Sequence, residues 1–274
     1  MGEDTTRSQT SVLHTIEREP IPLRGPAAYV AEFLGTFLLV LFITSTLSLY
    51  LREPIDNGPN VPQTLPFVDF SVIGLVQLFL LCFLIQTLAV VSGAHFNPAI
   101  TAALAAVRQI RLADAGIYVI CQLAGGVLGA LVTRLLFQNE GDPFSYGAPS
   151  YHNLVADGKV SIGLAAEVIG TFVLVWAVMG AAVHPGGLRD WSGLVIGGTL
   201  GFAVMVLGPV SGGSFNPARA FGPALVGGFG AGAGKWLLVY VLGPLIGALL
   251  AAVSYQVMFI LPGRKGLGGM DPVG

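Results

Sequence analysis

The chain has 274 residues, of which 10% are charged and 54% hydrophobic, with a mean hydropathy of +0.77. A soluble domain carries roughly 25% charged residues, so this chain lacks the polar surface to cover a water-soluble particle, and lipid is the expected solvent. A formal net charge of −2 leaves no basic footprint for a nucleic-acid partner.

The elements follow in chain order. Residues 1–26 are polar and mixed in charge, with Glu3, Asp4, Arg7, Glu17, Arg18, Glu19 and Arg24. They are too long and too acidic for a signal-peptide start and read as a cytoplasmic tail. A spanning helix needs about 20 apolar residues. Six stretches qualify: Ala27–Tyr50, Phe70–Val91, Ala115–Val132, Ile162–Val183, Trp191–Val210 and Trp236–Leu261. Loop 51–67 carries four prolines, and loop 137–160 is rich in breakers. Two apolar stretches, Asn97–Val107 and Asn216–Val226, are too short to span. Eleven helical residues reach about 16 Å, half of a ~30 Å hydrocarbon core, so both read as re-entrant half-helices. Residues 262–274 form a second tail. Cys82 and Cys121 lie in apolar runs and read as buried thiols. No Cys/His cluster has metal-ligand spacing, and no cofactor is implied.

Six spans put both termini on one side. That side holds Arg7, Arg18, Arg24, Arg108, Arg111, Arg189, Arg264 and Lys265, against Arg52, Arg134, Lys159, Arg219 and Lys235 opposite. The excess of basic residues predicts cytoplasmic termini.

The chain also repeats itself. Ala31–Phe42 (AEFLGTFLLVLF) matches Ala166–Ala177 (AEVIGTFVLVWA) at seven of twelve positions, and Ser92–Ala99 (SGAHFNPA) matches Ser211–Ala218 (SGGSFNPA) at six of eight. Tyr118 onward (YVICQLAGG) is echoed from Tyr240 (YVLGPLIGA). The region 27–261 therefore divides into repeat one, 27–136, and repeat two, 161–261. Each holds three spans. Three is odd, so the second copy runs inverted and the half-helices enter from opposite faces to meet near the midplane. The fold class is an all-α membrane protein with six transmembrane helices, two re-entrant half-helices and inverted three-span repeats.

These residues resemble the major intrinsic protein (aquaporin) family across nearly all of 27–261. The resemblance rests on Glu32 and Glu167, on the paired boxes Asn97-Pro98-Ala99 and Asn216-Pro217-Ala218, and on Arg219 directly after the second box. It implies a passive channel for water and small uncharged solutes in a cell membrane (plasma or inner), assembled as a homotetramer with one pore per subunit. Asn is a good N-cap and Pro suits the first helical position, so each box starts a half-helix. The Asn oxygen then accepts from the helix's own N–H groups and its NH₂ is left to donate outward. Each helix start carries roughly half a positive charge, and two meeting at the midplane repel cations and hydronium. A well-capped helix start is the plainer reading of each box.

Irregular backbone at membrane depth is tolerated along a water-filled cavity. The resemblance makes the carbonyls of Gly93, Ala94, His95, Gly212 and Ser214 a ladder of acceptors there. It makes Glu32 and Glu167 structural acids that accept from the re-entrant loops. His95 reads as a pH gate or as a fixed pore-lining histidine. His152 and His184 have no evident partner. Gly125/Gly129 and Gly243/Gly247 suit close helix packing.

By the family's pattern the narrowest constriction falls on Gln77, Val204, Gly213 and Arg219. Water-selective members have an aromatic at the first of these positions and His at the second, so Gln and Val predict a wider constriction. Yet Ala220 stands where glycerol facilitators carry an acid. The competing readings are a strictly water-selective channel, a secondary transporter, and a junction protein with a closed pore. No ion-coupling carboxylate cluster favours the transporter, since the span acids read as Glu32, Glu167 and Asp69 near an end. No nucleophile–base pair or metal set suggests an enzyme.

Overall fold

The computed structural model describes residues 24–50, 67–152, 155–230 and 232–262. The expected tails fall almost wholly outside the described residues, as do loop 51–66 and the side chain of Asp69.

Six described helices are long and apolar enough to cross a bilayer: Pro26–Tyr50, Phe70–Ser92, Leu112–Leu136, Val160–Val183, Arg189–Ser211 and Ala233–Ile260, spans one to six below. They are hydrophobic on all sides, as a helix between protein and lipid must be. Phe42, Phe79, Val90, Ile120, Leu135 and Val206 project outward, Val90 with 89% of its surface exposed. The chain is an integral, multi-pass, all-α membrane protein.

The helices outrun the apolar windows. Span three takes in Asp114 in its first turn and Arg134 in its last. Both sit where a spanning helix reaches the interface and where their charges complement the helix dipole. Cys82 and Cys121 are free and only half-buried, because their helix faces turn partly toward lipid.

Pro98–Ala106 and Pro217–Gly227 are the two short helices. Span one packs on span three, span four on span six, and span two on span five. The first half-helix leans on span six and the second on span three, so each is held by the other repeat. Small residues permit these approaches. A Cβ on Gly125 would lie 2.4 Å from the Phe33 carbonyl oxygen, and one on Gly247 2.2 Å from that of Val168. Backbones this close give van der Waals contact where lipid offers no hydrophobic drive.

Candidate functional site: two box loops around an internal cavity

The box loops are built the same way twice. In the first, Glu32 is fully buried, and its Oε1 accepts from Ser92 Oγ at 2.7 Å and the His95 N–H at 2.9 Å. Its Oε2 accepts from the Phe96 N–H at 2.7 Å and from Gln122 Nε2 at 2.8 Å. In the second, Glu167 accepts from Ser211 Oγ at 2.7 Å, the Ser214 N–H at 2.9 Å and the Phe215 N–H at 2.7 Å. A bare carboxylate at this depth is costly. Here each is satisfied by donors that a reversing loop would otherwise leave unpaired.

The loops adopt backbone that L-residues avoid. Phe96 and Phe215 have φ of 47° and 51°, and Ala94 has φ of 53°. Such conformations persist only where the surroundings hold them. The carboxylates hold the loops from one side. From the other, each Phe ring fills a hole over a span glycine: a Cβ on Gly35 or Gly170 would lie 2.1 Å from the Phe96 or Phe215 ring. Tyr118 and Tyr240 add a further tie, each hydroxyl donating at 2.7 Å to the Ser92 or Ser211 carbonyl. The N–H groups of residues 95, 96, 214 and 215 turn onto the carboxylates and those of Ala94 and Gly213 onto Ser92 and Ser211 Oγ, and the carbonyls of residues 93–95 and 212–214 receive no hydrogen bond from a described loop or side-chain donor.

The boxes meet across the molecule. Asn97 Oδ1 accepts from the Ala99 N–H at 2.9 Å, and Asn216 Oδ1 from the Ala218 and Arg219 N–H groups at 2.9 and 3.2 Å. Each Asn NH₂ donates one proton to the opposite repeat, Asn97 to the Phe215 carbonyl and Asn216 to the Phe96 carbonyl, both at 2.8 Å. The second proton of each amide remains for the cavity.

That cavity is narrow, with about 20 Å³ open to the centre of a water molecule. A water needs roughly 10–15 Å³ by this measure. Its polar wall is Gln77, His95, Asn97, Ser214, Asn216 and Arg219; its apolar wall includes Leu39, Ile43, Leu174 and Leu200. Arg219 is 1% exposed, and its Nη1 donates to the Gly147 carbonyl at 3.2 Å. Arg219 Nε and Nη2 and Gln77 Nε2 are buried donors with no partner among the described residues. Paired capped half-helices, inverted about a midplane cavity, are matched by a family profile, the major intrinsic protein profile, over residues 24–255.

The chain belongs to the major intrinsic protein family.

Within this family it is 35% identical to Nodulin-26 of Glycine max, across 84% of this chain and 76% of that protein. It is likewise 35% identical to aquaporin AqpM of Methanothermobacter marburgensis, across 84% and 96%. A glycerol uptake facilitator protein-like 6 of Lactiplantibacillus plantarum is 34% identical across 84% and 97%. The fold matches the X-ray structure of the aquaglyceroporin from Plasmodium falciparum with a TM-score of 0.68 over 87% of this chain and 98% of that one, at 19% identity.

Of the four expected constriction residues in this major intrinsic protein, Gln77 and Arg219 meet on the cavity wall. Val204 and Gly213 do not join them on it. Val204 is fully buried, with Cγ2 3.4 Å from where a Cβ on Gly213 would lie. Leu200, one turn earlier on span five, reaches the wall instead. His95 is fixed: Nδ1 lies 3.1 Å from Thr101 Oγ1, which accepts from Gln122 Nε2 at 2.9 Å. That bond leaves His95 Nε2 as the ring nitrogen with no partner among the described residues. His184 Nδ1 accepts from the Gly186 N–H at 3.1 Å, and His152 stacks on Tyr151 at 4.7 Å, so both find local structural partners.

Several residues escape a linear reading. Asp114 lies one residue before the apolar window and is 1% exposed. Gln122 ties Glu32 to Thr101 but faces Pro244 in the repeat alignment, so comparison of the repeats hides it. The Gly147 carbonyl reaches Arg219 from the outer loop, across 72 residues of sequence. Ser92/Ser211 and Tyr118/Tyr240 were findable, since both pairs stand at matched positions of the repeat.

Proposed function

We propose that the chain is a passive channel for water and for small uncharged solutes, such as glycerol, urea or a metalloid acid, and that it excludes protons and other ions. The carrying observation is the midplane cavity between Asn97 and Asn216, where each amide holds one proton free toward a space of about 20 Å³. Water passing there is held by its oxygen from both sides while two positive helix ends face it, which breaks a proton wire and repels cations. The residues Asn97, Pro98, Ala99, Asn216, Pro217 and Ala218 carry this step.

The filter in this reading is Gln77 with Arg219 on the wall, and Val204 with Gly213 behind it. Three donors without a partner among the described residues, Gln77 Nε2 and Arg219 Nε and Nη2, suit a hydroxyl or amide oxygen. Leaving them unbonded is costly, so a solute that satisfies them gains. The carbonyls of Gly93, Ala94, His95, Gly212 and Ser214 accept from the passing molecule. Family membership supports channel rather than enzymatic activity, and it supports a homotetramer. The excess of basic residues on the terminal side supports cytoplasmic termini in a plasma or inner membrane. The names of the glycerol uptake facilitator-like and aquaglyceroporin relatives support passage of more than water.

A strictly water-selective pore is the second reading, favoured by the small cavity. Stopped-flow osmotic and solute assays on proteoliposomes decide between them. The proposal expects fast, unsaturable water flux and measurable flux of at least one of glycerol, urea and boric acid. The Gln77→Phe/Val204→His variant is expected to suppress solute flux and keep water flux. Water flux without any solute flux, unchanged in that variant, would establish the strictly water-selective pore instead.

A further inference from the structure

The two ends of the cavity carry different side chains at positions matched by the repeat. Gln77 and Arg219 line one end, and with Val204 and Gly213 they correspond in the repeat to Ile196, Ile100, Ile85 and Ala94, all buried and all apolar, of which Ile100 lines the cavity. No fixed charge comes from the half-helix there, because Ile100 holds the place of Arg219. The cation at that end comes from before span one. Arg24 Nη2 lies 3.8 Å from the point where a Cβ on Gly93 would sit, and His95 Nε2 lies 3.4 Å from the same point. Gly93 is exposed and His95 lines the cavity, so the guanidinium stands at the mouth.

Arg24 is anchored through its backbone. Its N–H donates to Asp114 Oδ2 at 3.4 Å. The Tyr29 hydroxyl lies 2.7 Å from Asp114 Oδ1 and 3.1 Å from the Arg24 carbonyl, its proton shared between them. Asp114 is thereby engaged by Tyr29 and by the Arg24 backbone, and the guanidinium faces the mouth. The other charged groups at this end are the acids Asp114 and Glu32, whose partners are neutral donors that leave their charge in place, and the bases Arg108 and Arg111, both exposed. The position paired with Arg24 in repeat two is Lys159, exposed at the opposite end.

We propose that Arg24 is a second specificity-determining residue of the channel, a fixed positive charge that excludes cations at the end of the pore opposite Arg219. The proposal rests on the channel reading above. The apolar wall at Ile100 strips water from an ion but is blind to its sign; the guanidinium supplies the sign. Both mouths then reject cations, by residues of unrelated origin in the chain.

Because Arg219 acts alone at its own end, the test uses an Arg219→Val background, reading sodium conductance in planar bilayers and water permeability in proteoliposomes. Adding Arg24→Gln is expected to raise sodium conductance by about tenfold, equivalent to ~1.4 kcal/mol of barrier. Adding Arg24→Lys, which keeps the charge, is expected to leave conductance at the level of Arg219→Val. Water permeability above that of empty liposomes certifies each variant as folded and open. A double variant that conducts no more sodium than Arg219→Val overturns the proposal, as does Arg24→Lys behaving like Arg24→Gln. If the Arg24→Gln chain does not insert, Arg24→Met in the same background, which keeps the side-chain length and removes the charge, is expected to raise conductance to the same extent; no rise overturns the proposal. An unmutated protein that carries no water sinks the channel reading itself, a result distinct from any sodium measurement.

Discussion

In the first repeat Glu32 collects four donors and in the second Glu167 collects three, yet the loops they hold agree in hydrogen bonds, in backbone torsions and in the ring-over-glycine contact. The side chains that face the passage differ. Arg219 is matched by Ile100, Ser214 by His95 and Gln77 by Ile196. The duplicated part is the part that must solve one physical problem twice, reversing a backbone inside a membrane with no N–H left bare. The part that diverges is free of that duty and sets what passes.

The sharpest way to break this comparison is to remove the carboxylates. Glu32→Leu and Glu167→Leu each orphan buried donors at ~1–3 kcal/mol apiece. Both variants are expected to lose most of their thermal stability in detergent, with Glu32→Leu the worse because one Gln122 amide proton is orphaned too. Equal midpoints for the two would show that Gln122 adds nothing. Next come the glycines under the rings. Gly35→Ala and Gly170→Ala should each cost about 1–3 kcal/mol from overpacking, and by the same amount, since both rings stand 2.1 Å from the added atom. A scan in which one is tolerated and the other is not would mean that the two cradles are held differently.

Gln122→Leu removes the one tie without a counterpart and is expected to cost ~1–2 kcal/mol. It should also loosen His95, visible as a broadened ring signal in solid-state NMR, while no position of the second repeat reproduces the effect. The smallest difference is expected at the boxes themselves. Asn97→Asp and Asn216→Asp each set a carboxylate on a positive helix start, an interaction of ~0.3–2 kcal/mol. Proton conductance should rise a few-fold, and alike in both; an unchanged conductance would remove helix dipoles from the account of ion exclusion.

Much of this was legible in the chain. The spans declare themselves by length, the boxes by Asn-Pro at a helix start, and the inversion by an odd number of spans per repeat. What was not legible has physical reasons. Counting back from a box places Val204 on a face of span five but does not say at which height along that face the cavity is walled, and Leu200, one turn away on the same face, is the residue that lines it. An apolar window stops at the first charge, so it ends before Asp114, although a carboxylate bonded to Tyr29 and a backbone N–H sits comfortably at the interface. The bond from Arg219 to Gly147 depends on a loop folding inward over the half-helix, and no local pattern between residues 137 and 160 announces it.

The exchange of half-helices between repeats has a consequence for biogenesis. The chain emerges from its N-terminus, and the support of the first half-helix is span six, the last to be made. The segment carrying Asn97 therefore enters the bilayer well before its final neighbour exists, and the acceptor of its amide, the Phe215 carbonyl, arrives only shortly ahead of that neighbour. A ribosome that stalls between the fifth and sixth spans leaves an unfinished bundle with one wall missing, closed by lipid rather than by protein. The conduit is completed in a single late step, when the final helix docks.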